Sequence, residues 1–206
     1  RDGGPTLMLS NSLGCTLEMW QPQMAAFTKE FRVIRYDRRG HGKSGVPPGP
    51  YSIELFGRDV LAILDDLNIR TVHWCGLSMG GMVGQWLAAN APERFDRVVL
   101  ANTSCWYPDP TNWHNRIKAV QDGGLAAVAD AVIAGWLTAD FREREPETTA
   151  RMKAMLLASP VEGYLACCEA LSTLDQRALL PRIKSPTLVI AGKQDMATPV
   201  SAGEMI

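Results

Sequence analysis

Apolar residues in the first half of the chain fall into short runs separated by polar loops. Thr6-Leu7-Met8-Leu9 is one such run, closed by the loop-forming cluster Ser10-Asn11-Ser12-Leu13-Gly14. It predicts a buried strand followed by a loop. Residues 17–27 predict a helix, and Phe31-Arg32-Val33-Ile34-Arg35-Tyr36 a second strand that ends in Asp37-Arg38-Arg39-Gly40-His41-Gly42-Lys43-Ser44. After Ser52, a candidate N-cap, the residues Ile53, Phe56, Val60, Ile63, Leu64 and Leu67 recur at helical spacing as far as Asn68. Val72-His73-Trp74-Cys75 predicts the next strand, and Met79, Met82, Val83, Trp86 and Leu87 continue as a helical stripe after the tight turn Gly76-Leu77-Ser78. Arg97-Val98-Val99-Leu100-Ala101 and Thr187-Leu188-Val189-Ile190-Ala191 predict two more strands. Strand and helix alternate, which is the order of an α/β fold with a mostly parallel sheet covered by helices on both faces.

Between the last two strands the chain is far longer than the 2–6 residues that ordinarily link such units. Its alanine-rich and apolar runs, residues 125–137 and 152–157, predict helices, with breaks at Gly123-Gly124, Pro146 and Ser159-Pro160. We therefore expect a core of residues 1–106 and 183–206, with residues 107–182 forming a helical cap over one end of the sheet.

Composition narrows the partners. Of 206 residues, 46% are hydrophobic and 21% charged, enough for one substantial core. Twenty-one Lys and Arg against twenty-two Asp and Glu leave a net charge of -1, so no global field favours nucleic acid or an anionic membrane. No apolar run approaches the ~20 residues of a membrane span, and the first five residues lack the apolar centre of a signal peptide. A small-molecule partner is expected. The five cysteines, Cys15, Cys75, Cys105, Cys167 and Cys168, show no C-x-x-C spacing; reduced thiols in a cytoplasmic protein are the expectation, with no metal.

Chemistry concentrates at Gly76-Leu77-Ser78-Met79-Gly80. A G-x-S-x-G pentapeptide alone is a weak signal, but here a strand leads into it and an amphipathic helix leaves it. That context projects a serine above the end of an α/β-hydrolase sheet, so Ser78 is the candidate nucleophile. The plainer reading makes Ser78 the N-cap of its helix. Acyl attack needs donors aimed at the developing oxyanion. The backbone N–H of Met79, next after the nucleophile, is one candidate, and that of Ser12, in the loop after the first strand, is the other. Asp195, beyond the strand at 187–191, is the candidate acid by chain order. The general base should follow it, yet His41, His73 and His114 all precede it. Cys75 as a rival nucleophile lies on the strand, three residues early. The Walker pattern fails because Asp37 stands where its first glycine is needed, and the dinucleotide fingerprint fails because its middle glycine falls on Ser78.

Three segments occurring together carry a resemblance: Leu9-Ser10-Asn11-Ser12-Leu13-Gly14, the run from Tyr36 to Ser44, and Gly76-Leu77-Ser78-Met79-Gly80-Gly81-Met82-Val83-Gly84-Gln85-Trp86-Leu87. With them the chain closely resembles 3-oxoadipate enol-lactonases of the α/β-hydrolase superfamily. The Ser10-Asn11-Ser12 loop discriminates most, because many relatives have His-Gly there. The resemblance implies hydrolysis, without a cofactor, of the enol-lactone of 3-oxoadipate, a late step of bacterial aromatic breakdown. It also implies a hairpin before Thr6 and a strand, a histidine-bearing loop and a helix after Asp195, so the expectation is a fragment of doubtful activity. The substrate's carboxylate calls for a cation in the cap, for which Arg116, Lys118 and Arg142 are candidates, and Trp136 is a candidate apolar wall. Another carboxylic-ester hydrolase, a cofactor-free haloperoxidase-like enzyme and a noncatalytic small-molecule binder are the alternatives.

Overall fold

The computed structural model describes Gly4–Ile206. Five strands, β1 (Thr6–Ser10), β2 (Arg32–Arg35), β3 (Val72–Leu77), β4 (Phe95–Ala101) and β5 (Thr187–Ile190), form one sheet in the order β2-β1-β3-β4-β5. Every pairing is parallel. Each strand lies where an apolar run predicted one, and β3 extends two residues further, to Leu77, the threshold of the turn at Ser78.

Helix α1 (Gln21–Glu30) covers one face of the sheet, where Leu7, Leu9 and Trp20 are buried with Met24, Phe27 and Val33 packed against them. A helix was expected from residue 17. Instead Leu17–Trp20 is a turn of 3-10 helix, and α1 begins at Gln21. Pro22 is the reason: it has no N–H to give and fits only the first turn of a helix.

The other face carries α2 (Ile53–Asp66) and α3 (Met79–Asn90). Ser52 caps α2 by accepting from the Leu55 N–H at 3.0 Å. Asn68 ends it at φ 53°, where the Ile69 N–H returns to the Leu64 carbonyl at 2.8 Å. The α2 stripe buries Phe56, Val60 and Leu64 against α3, which is buried on nearly every side.

Between β4 and β5 come α4 (Thr111–Gly123), α5 (Ala126–Trp136), α6 (Ala139–Arg144), α7 (Pro146–Leu157) and α8 (Val161–Ser172). The breaks fall at Gly124, at the Glu145-Pro146 step and at Ser159-Pro160, as the sequence predicts. A further break at Thr138, which caps α6, carries no Gly or Pro signal. A last short helix, α9 (Val200–Glu204), follows β5. No single helix among the described residues is long and apolar enough to cross a membrane.

Candidate active site

Ser78 sits at φ 53°, ψ -116° between β3 and α3. A non-glycine residue there costs on the order of 1–3 kcal/mol and persists only where its surroundings impose it. Here they do. The Ser78 N–H donates to the Ala101 carbonyl at 2.8 Å, and the Ser78 carbonyl accepts from the Gly81 N–H and the Thr103 hydroxyl at 2.8 and 2.7 Å. The crowding also requires glycine. A Cβ on Gly76 would lie 2.2 Å from the Gly80 carbonyl oxygen, and one on Gly80 would lie 2.3 Å from that of Ser10. Ser78 occupies the N-cap position, but its side chain makes no capping hydrogen bond, so the plain N-cap reading loses its support.

The parallel register sets Ser10 beside Gly76. Ser12 and Ser78 therefore each lie two residues past that paired position, on loops leaving the same end of the sheet. Met79 is the first residue of α3, so its N–H has no carbonyl a turn earlier to bind. Ser12 is buried, and its N–H is directed at Met19 Sδ, 3.4 Å away, an acceptor much weaker than an anionic oxygen.

Asp195 lies just past β5. Its Oδ1 accepts from the N–H groups of Ala197 and Thr198, both at 2.9 Å, while Oδ2 accepts from the Thr198 hydroxyl at 2.8 Å and Asn102 Nδ2 at 2.7 Å. Asn102 follows Ala101, the residue whose carbonyl holds Ser78, and is itself left-handed at φ 43°. Thus Asn102 joins the acid loop to the serine turn, and Thr103 fastens the turn itself. The sequence reading missed both residues, although a polar pair directly after a buried strand, at the strand ends where α/β proteins bind ligands, was signal enough.

None of the three histidines is positioned as a base. His73 stands near the start of β3, about 16 Å from Ser78 at ~3.3 Å per residue. His41 is fully buried; its Nε2 accepts from the Gly14 N–H at 2.9 Å, and burial, then the charge of Arg38, lower its pKa to about 3. His114 is exposed on α4, where its charge acts on Asp109. Cys75 as nucleophile fares no better, since burial pushes its thiol up to about 11 and keeps it protonated at neutral pH.

The sequence pattern of the α/β-hydrolase fold matches residues 5–206. The chain belongs to the α/β-hydrolase family. It is 46% identical over 202 residues to 3-oxoadipate enol-lactonase 2 of Acinetobacter baylyi, covering 98% of this chain and 76% of that protein. Among solved structures, the enol-lactonase from Burkholderia xenovorans LB400 has a TM-score of 0.97 at 46% identity, covering all of this chain and 79% of that one. A bromoperoxidase from Bacillus anthracis has a TM-score of 0.88 at 26% identity, covering 98% and 79%. This likeness marks the chain as a hydrolase related to lactone-hydrolysing enzymes.

In this α/β hydrolase the three candidate cations between β4 and β5 differ in setting. Lys118 is exposed and bound to Asp122 at 2.9 Å, one turn along α4. Arg142, on α6, keeps a buried Nε without a hydrogen-bond partner. Arg116 is half-buried with its guanidinium 4.9 Å from the Trp113 ring centroid. Its charge reaches two tyrosines: the buried Tyr164, whose hydroxyl has no well-formed hydrogen bond, and the half-buried Tyr107, which also senses Asp195. In both, burial raises the phenol above its usual range and Arg116 pulls it back. Trp136 and Tyr164 both lie against Gly14, in the loop that carries Ser12.

Proposed function

We propose that this hydrolase opens a lactone through an acyl-enzyme on Ser78. The observation that carries the proposal is the strained turn at Ser78, held by Ala101 and Thr103 and crowded against Ser10. Ser78 Oγ attacks the lactone carbonyl, and the N–H groups of Met79 and Ser12 receive the oxyanion. The ring C–O bond breaks, leaving an acyl-enzyme and an enol that becomes the ketone. Water then attacks the acyl carbon with base assistance and releases the acid. Asp195 orients the base. The enol is a stabilised leaving group, so its departure needs little acid catalysis.

The relatives' names support the enol-lactone of 3-oxoadipate as substrate, and with it a place in aromatic breakdown. Residues 107–182 act as the cap. Arg116 is the cation best set to meet the substrate carboxylate, with Trp136 as an apolar wall. A base remains to be supplied, since a serine hydroxyl is a weak nucleophile until its proton is taken. We expect the 206-residue chain by itself to turn over slowly, and the corresponding C-terminal segment of a histidine-bearing relative, joined after Ile206, to raise the rate by orders of magnitude. Hydrolysis of the enol-lactone and of a simple aryl ester, measured on both chains, tests this. Ser78→Ala should abolish turnover in the extended chain. Near-parental activity in that variant would sink the assignment, and full activity in the folded short chain would return the search for a base to His41, His73 and His114.

A further inference from the structure

Arg38 is the buried charge that the chemistry above leaves unused. It is 3% exposed, and no carboxylate among the described residues pairs with it. Its neighbours direct their charges elsewhere: Asp37 accepts from the N–H groups of Leu17 and Lys43, and Arg39 pairs with Asp59. The Arg38 guanidinium instead donates to the carbonyls of Asn11 and Ser12, the latter at 3.4 Å, with Phe56 stacked 5.7 Å from it. A buried, unpaired cation is costly, and neutral donors would satisfy two loop carbonyls at less expense.

Peptide geometry gives the arrangement a consequence. The Asn11 carbonyl and the Ser12 N–H belong to one planar trans peptide and point in opposite directions. Fastening that carbonyl to Arg38 fixes the Ser12 N–H on the side of the loop away from Arg38, where it is directed at Met19 Sδ, 3.4 Å away, a weak acceptor that an oxyanion would replace. The far end of the loop is held as well, because the Gly14 N–H donates to His41 Nε2 at 2.9 Å. A peptide free to turn would bring its carbonyl, not its N–H, toward a developing oxyanion, and the two would repel.

We propose that Arg38 is a positioning residue of the oxyanion hole: it sets the Asn11-Ser12 peptide so that Ser12 N–H faces the attacked carbonyl, and its unpaired charge favours negative charge there. This rests on the Ser78 reading above. Arg38→Met removes the donors and the charge. Arg38→Lys keeps the charge but loses the planar fork that reaches two carbonyls.

In the extended chain, Arg38→Met should lower kcat by ~10²–10³-fold, the loss typical of one missing oxyanion donor, with KM unchanged. Arg38→Lys should fall between it and the parent. A merely structural role predicts a lower melting temperature with kcat retained wherever the variant is folded. That result overturns the proposal, as does a loss confined to KM. If Arg38→Met does not fold, the kcat and KM of Arg38→Lys decide. An independent measurement needs no turnover: in the 206-residue chain, Arg38→Lys should shift the Ser12 amide in a proton–nitrogen correlation spectrum and leave that of Gly203, on α9, in place. An unmoved Ser12 amide overturns the proposal whatever the assay reads. Turnover surviving in Ser78→Ala would defeat the hydrolase reading instead, and the amide shift would still report on the peptide.

Discussion

The loop after β1 and the loop after β5 leave the same end of one sheet, yet they are held in different ways. β1 is interior, flanked by β2 and β3, and Ser10, Asn11 and Ser12 are all buried. Their polar atoms are bound across the fold. Ser10 Oγ and the Tyr36 hydroxyl are 2.9 Å apart, Asn11 Nδ2 donates to the Tyr36 carbonyl at 2.9 Å, and Trp20 Nε1 donates to Asn11 Oδ1 at 3.0 Å. β5 is an edge strand of the described sheet, with Leu188 57% and Ile190 46% exposed. Of the four hydrogen bonds on the Asp195 carboxylate, three come from Ala197 and Thr198 of its own turn, and one, from Asn102, comes from elsewhere. The loop of Ser10, Asn11 and Ser12 is thus continuous with the core, whereas the Asp195 loop is a local turn whose carboxylate is docked by one long-range bond. Substitutions on the first side should disturb chemistry and stability together, and substitutions on the second should separate them.

The largest expected effect tests that separation. Asp195→Asn should lower kcat of the extended chain by ~10⁴-fold, the loss seen when a triad acid becomes an amide. Its melting temperature should stay close to the parental value, because three of the four carboxylate contacts lie within one turn. A matching collapse in thermal unfolding would show the Asp195 loop to be as deeply integrated as the Ser12 loop.

Next in size is the contrast between strands. Leu100 on β4 is fully buried, so Leu100→Ala should cost ~2–5 kcal/mol in denaturant unfolding.

Smaller again is the effect of His41. Its folded pKa, about 3, lies below its ordinary 6.5, so between those values the unfolded chain binds the extra proton. Stability is then full above about pH 6.5 and falls as pH drops, with a slope of at most ~1.4 kcal/mol per unit from this group. His41→Gln, which cannot titrate, should flatten that limb relative to the parent; identical slopes in urea unfolding would remove His41 from the account. The smallest effect belongs to Leu188→Ala on β5, which should stay within ~0.5 kcal/mol.

Much of the candidate site could be read from the chain because its signals are local. Ser52 and Asn68 bound α2 through their own hydrogen bonding and backbone preference, and the glycines about Ser78 report a crowding that arises within one turn. Asp195 became a candidate by its order after a strand. The partners of these residues were less legible. Asn102 and Asp195 are 93 positions apart, and only the parallel pairing of β4 with β5 brings them together.

The candidate cations between β4 and β5 show the same limit. Arg116 and Lys118 are two residues apart on α4, roughly 200° around a helix of 3.6 residues per turn, so they occupy nearly opposite faces. The sequence by itself determined the order of strands and helices, the serine turn and the set of candidate charges, because hydrophobic period, capping and glycine sterics act over a few residues. Only the tertiary structure decided which charge points inward and what each one meets. Arg38 turned to the loop carbonyls, Arg116 set over the Trp113 ring and Lys118 left to solvent depend on which face of each element the core covers. That choice is made by packing between residues far apart in the chain.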